Sequence, residues 1–114
     1  MINNKKILEF YKEQSKFGFI ESVKIYKDIK DEHYVNYLEI SFFNYPYVEG
    51  DKKMLITFQN ISDLNLGNLD GLLKTVFSIT DISSYQMENV KYKVVDDENN
   101  LVCFNCKDFE FSFS

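Results

Sequence analysis

Arginine, tryptophan and alanine are absent from these 114 residues, and histidine occurs once, proline once and cysteine twice. Two of these shortages close classes of function. Without arginine the chain lacks the planar fork that grips guanine edges, phosphates and carboxylates in bidentate fashion, so nucleic-acid recognition is disfavoured. Lysine supplies every basic side chain, and the formal net charge is −5. A single imidazole, His33, rules out most histidine-dependent catalytic arrangements by count, and its place after an acidic turn is that of an exposed surface residue. No apolar run is long enough for a membrane span or a signal peptide. The expected setting is therefore the cytoplasm, with reduced thiols.

What is present is typical of a folded domain. Hydrophobic residues make up 45% of the chain and aromatics 17%, all of them Phe or Tyr. A chain of this size buries roughly two-thirds of its unfolded surface around a single core, so one domain spanning residues 1–114 is expected. The abundance of Asn, Ile, Lys, Phe and Tyr follows A/T-rich codons and carries no functional message.

Along the chain, Ile7, Leu8, Phe10 and Tyr11 fall at helical spacing behind Asn3 or Asn4, and Gly18 is a stop signal, which predicts a helix over about 4–16. After it the period becomes two. In ESVKIYKD, Val23 and Ile25 alternate with polar neighbours. HYVNYLEISFF places Leu38, Ile40 and Phe42 on one face. The loop NYPYVEGDKK leads into KMLITFQNI, with Met54, Ile56 and Phe58 on one face, which makes a hairpin with a long connection.

SDLNLGNLDG has no regular period and is expected to be an irregular crossing. LLKTVFSITDI is a further strand, with a short helix over Gly71 to Val76 as its alternative. ENVKYKVVD alternates Val90, Tyr92 and Val94 with lysines and should form a hairpin with LVCFNC through DDENN. The predicted fold class is α+β, mainly β: an N-terminal helix followed by six or seven strands in an antiparallel meander, folded into a sandwich or partly open barrel, with the helix over one edge or end.

The closing stretch LVCFNCKDFEFSFS carries the one motif that resembles chemistry. A zinc site or redox pair needs Cys103 and Cys106 to converge, but strand alternation sends them to opposite faces, and no glycine or proline makes a turn between them. Both are expected to be structural, as small apolar residues. The aromatic parity also switches, from Val102 and Phe104 to Phe109, Phe111 and Phe113. A β-bulge at Lys107–Asp108 would do this, and so would the end of one strand and the start of another.

Asp63-x-Asn65-x-Gly67 begins like a calcium loop and then fails, with Asn68 where glycine is required and Lys74 where a bidentate glutamate belongs. The scattered carboxylates define no catalytic pair, and no phosphate loop, nucleophile elbow or dinucleotide fingerprint occurs. A non-enzymatic protein with no metal and no cofactor is expected.

The remaining candidates lie at the surface. Tyr45 and Tyr47 flank Pro46 in a hairpin-end loop, with Glu49 and Asp51 beside them. Tyrosine supplies contact area at low entropic cost, so these four are the candidate partner-binding residues. The alternative is that the rings only cover a sheet end.

FIESVKIYKD, a long strand, MLITFQNISDLNL and a strand pair ending LVCFNCKDFEF together resemble the layout of small bacterial immunity-type proteins, over Phe19 to Phe111. The resemblance implies a protein that neutralises a cognate toxin of a polymorphic toxin system by binding it. That family's first strand typically opens with a Phe-His-Asp-like run. Phe19, Ile20 and Glu21 stand there in this chain, so no histidine role carries over. An acidic inhibitor would suit a basic toxin. Two other functions compete: a small-ligand binder or enzyme with a pocket inside the β structure, and a structural homodimer pairing through a sheet edge.

Overall fold

A computed structural model describes residues 5–72, 74–85, 88 and 90–114. Helix α1 spans Lys5–Gln14 and is followed by eight strands: β1 Phe19–Lys30, β2 His33–Phe43, β3 Met54–Gln59, β4 Ser62–Leu66, β5 Phe77–Asp81, β6 Tyr92–Asp96, β7 Val102–Cys106 and β8 Asp108–Phe113. They form two four-stranded antiparallel sheets, β1-β2-β3-β8 and β4-β7-β6-β5, which pack on each other without closing into a barrel. Of the expected start of α1, residue 4 lies outside the described residues.

Alternation explains most of the core. Leu38, Ile40 and Phe42 of β2, Met54, Ile56 and Phe58 of β3, and Tyr92 and Val94 of β6 are all buried. Rings meet between the layers: Phe42 on Phe77, Phe58 on Phe104 at 4.8 Å between centroids, and Tyr92 on Phe109 at 5.3 Å. Large rings thus occupy much of the space between the two sheets among the described residues.

The structure corrects four details. Ser62–Leu66, expected as an irregular crossing, is strand β4; Asp63 at φ 53° and a register shift between Ser62 and Asn65 disrupt the alternation that would have revealed it. The parity switch at Lys107 is not a bulge within one strand. Cys106 ends β7 in one sheet and Asp108 begins β8 in the other.

The core-facing parity shifts by one residue at this corner, from Cys106 of β7 to Phe109 of β8. The neighbouring chain turns the same corner at Asn60, whose φ of 58° suits asparagine, and the two corners are tied by Lys107 N–H donating to Gln59 C=O at 2.9 Å. With β4 counted and β7 separated from β8, the described residues hold eight strands instead of six or seven. Finally, Ile25 follows the core-facing parity of Val23 yet is 52% exposed, because it stands on the edge strand while its paired neighbour Leu38 is fully covered.

Helix α1 covers the open side between β8 and β5. Phe10 is fully buried against Phe109 and Phe111. The next turn reaches the exposed edge of β5: the Tyr11 hydroxyl donates to Ile79 C=O at 3.0 Å and accepts from Ile79 N–H at 2.8 Å. Gln14 does the same for Phe77, at 2.9 and 3.0 Å. Two side chains thus satisfy backbone groups that a further strand would otherwise pair, which blunts that edge.

Candidate partner-binding site

Loop 44–53 joins β2 to β3 at the end of the first sheet where β1 begins and β8 finishes. Its base is aromatic. Phe19 lies 5.9 Å from Phe43 and 5.7 Å from Tyr45, and Tyr47 meets Phe43 edge-on at 6.0 Å. Tyr45 nevertheless remains 56% exposed and Val48 65% exposed. The cluster therefore fixes the rings from below and leaves their outer faces to solvent, an arrangement that lowers the entropy lost on contact.

The loop is internally braced. Asp51 accepts a hydrogen bond from Val48 N–H at 2.9 Å and donates its own N–H to Val48 C=O at 2.9 Å, while the Tyr47 hydroxyl donates to Asp51 C=O. Gly50 takes φ 96°, a conformation that side chains rarely adopt, at the turn that brings Asp51 back onto Val48. Lys53 pairs with Glu21, which also accepts from Ser41, and its ammonium stands over the Tyr47 ring at 5.2 Å. The Lys53 and Ser41 hydrogen bonds hold the Glu21 carboxyl below its ordinary value, and Glu21 in turn raises Lys53. Between them lies a recess of about 280 Å³ lined by Ile20, Glu21, Phe43, Tyr47 and Lys53.

The four sequence candidates thus share one loop but differ in position. Tyr45 and Tyr47 present rings, Glu49 is exposed at the tip, and Asp51 is engaged in bracing the loop. Sequence reasoning missed Phe19 and Glu21, which come from β1, and Phe43 and Lys53, which stand at the two ends of the loop. Only the β1–β2 register, with Phe19 opposite Phe43, brings the first two to the loop. Tyr34 and Tyr37 of β2 lie away from the loop. Tyr37 stacks on Tyr26 at 5.1 Å on the outer sheet face, and Tyr34 is exposed beside the far turn.

The other candidates behave as core or surface. Cys106 is buried and Cys103 half-buried, on opposite faces of β7. Burial, helped by Asp108, pushes the Cys106 thiol up to about 12, which makes it a poor nucleophile. His33 is exposed at the start of β2. Asp63 accepts from Asn105 within the sheet at 3.2 Å instead of shaping a cation loop. Among the described residues no helix is long and apolar enough to cross a membrane.

The fold is a small two-sheet β module with a braced, ring-bearing loop at one end. The profile of one protein family, described as Immunity protein PIM8, matches residues 1–112, and the chain belongs to that family. No curated protein and no solved structure matches it.

Proposed function

We propose that this chain is a non-catalytic inhibitor that neutralises a cognate bacterial toxin in the cytoplasm by binding it through the 44–53 loop end. Membership of the immunity protein family along nearly the whole chain carries the reading. Tyr45 and Tyr47 are the contact residues, with Glu49 as a charged neighbour and Asp51 holding the loop in shape. The acidic balance, −5 overall, favours a basic toxin surface, because charge complementarity speeds encounter and suppresses wrong partners.

Co-expression tests the reading. The protein should rescue growth of cells expressing its cognate toxin, and the Tyr45→Ala/Tyr47→Ala variant should rescue poorly while accumulating to the same level. Equal rescue by the variant would remove these residues from the interface. Failure of the wild type to rescue would remove the function itself. A homodimer through a sheet edge concerns a different surface and is compatible with toxin binding at the loop end.

A further inference from the structure

Strand β1 is the edge of its sheet, and past Phe19, which bridges to Lys74, no described strand pairs with its outer side. From Ser22 to Lys30 it is regular, free of proline and about 30 Å long. Edges of this length are usually blunted, as α1 blunts β5. On β1 the apolar residues instead stay in the open: Ile25 is 52% and Ile29 70% exposed, both on the face that continues the core side of the sheet.

Its charges, by contrast, are ordered. We propose that this edge pairs with β1 of a second copy of the chain, antiparallel about a two-fold axis at Tyr26, making one continuous sheet across the dimer. The axis stands normal to the sheet, so opposed residues share a face and their numbers sum to a constant even value.

Each choice of centre can be read off the sequence. Centring on Lys24, Lys27 or Asp28 sets that charge against itself. Centring on Ile25 opposes no unlike charges and runs the ladder into the irregularity between Ile20 and Ser22. Centring on Ile29 leaves only Asp28, Ile29 and Lys30 in the ladder.

Centring on Tyr26 opposes Lys24 to Asp28 of the second copy, twice by symmetry, and opposes no like charges. It sets Ile29 against Val23, Ile25 against the stem of Lys27, and Ser22 against Lys30. It also aligns the Tyr37–Tyr26 stack with its symmetry mate in a four-ring row on the outer face. Among the described residues the one ion pair of Asp28 within its own chain is a 3.9 Å contact to an exposed Lys30, and Lys24 lies over the Tyr26 ring, so both are placed to turn across the edge. The ladder stops at Ser22, where the strand loses its regular register, and the loop end at Tyr45 and Tyr47 stays uncovered.

Sedimentation velocity from micromolar to several hundred micromolar protein, on the wild type and three exposed-charge variants, tests this. The wild type should move to twice the monomer mass as concentration rises. Lys24→Asp and Asp28→Lys each place like charges opposite one another and should weaken association roughly tenfold. The double variant Lys24→Asp/Asp28→Lys restores opposite charges in the reversed sense and should recover it.

A wild type that stays monomeric throughout overturns the proposal. So does a dimer indifferent to the single swaps, because its interface lies elsewhere. A monomer whose toxin complex is weakened by Lys24→Asp would give the edge to the toxin and overturn it equally. Failure of the immunity function leaves the self-association result intact, so the two readings fall separately.

Discussion

Removing the Tyr11 hydroxyl is expected to destabilise the fold by ~1–2 kcal/mol, although it deletes one oxygen at a half-exposed ring. That oxygen serves two backbone groups, accepting from Ile79 N–H at 2.8 Å and donating to Ile79 C=O at 3.0 Å, at an edge no strand covers. A buried group left without its partner costs about 1–3 kcal/mol. Water reaches part of this edge, since Tyr11 is 37% exposed, which places the cost in the lower half of that range.

In a domain of about 100 residues each kcal/mol corresponds to about 4–8 °C in Tm. Tyr11→Phe should therefore lower Tm clearly while leaving the denaturant m-value unchanged, because the surface exposed on unfolding is the same. Hydrogen exchange gives the local readout: the Ile79 amide should lose more protection than the Phe58 amide, whose loss should match the global destabilisation alone. Tyr11→Phe with unchanged Tm and an unchanged Ile79 exchange rate would refute the claim that helix side chains replace a missing strand.

Three further outcomes follow from individual groups. Asp96 is fully buried at the end of β6 and accepts from Glu98 N–H at 3.1 Å to start the turn into β7, so Asp96→Ala should cost ~1–3 kcal/mol in urea unfolding, and a neutral result would contradict that role. Burial pulls the Asp108 carboxyl upward, but hydrogen bonds from Lys6 and Phe109 N–H outweigh it and hold the group below its ordinary 3.8. Its stabilisation is therefore complete above that value and is lost as pH falls through the lower folded one. Asp108→Asn should flatten the acid limb of stability against pH, and an unchanged limb would show the pair to be idle. With Cys106 pushed up to about 12, iodoacetamide at pH 8 should label Cys103 alone in the native protein and both thiols in urea, as mass spectrometry would show; native labelling of Cys106 would contradict its burial.

The sequence exposed those parts of the fold where one face of a strand is buried along its length. Leu38, Ile40 and Phe42 opposite Met54, Ile56 and Phe58 show the period of two because the second sheet covers them, and the hairpin between them follows. Ile25 has the same parity and is exposed, because alternation records which way a side chain points and not whether anything lies above it. Strand β4 was hidden by Asp63, whose positive φ breaks the alternation. The switch at Lys107 was visible, but whether it marked a bulge or a change of sheet depends on pairings of β3 with β8 and β4 with β7 that are distant in sequence. In the site, Tyr45 and Tyr47 were legible as loop aromatics beside proline, whereas Phe19 and Glu21, the partner of Lys53, became part of it only through strand register.

The central claim is that the loop end engages the toxin, and a calorimetric titration of purified cognate toxin into the wild type and into Tyr45→Ala/Tyr47→Ala tests it most directly. The account predicts a stoichiometric complex for the wild type and a loss of at least ~2 kcal/mol in binding for the variant, the usual size for a pair of interface tyrosines at the centre of contact, with Tm unaltered. A variant that binds as tightly as the wild type would place the toxin on another face of the protein and contradict the account.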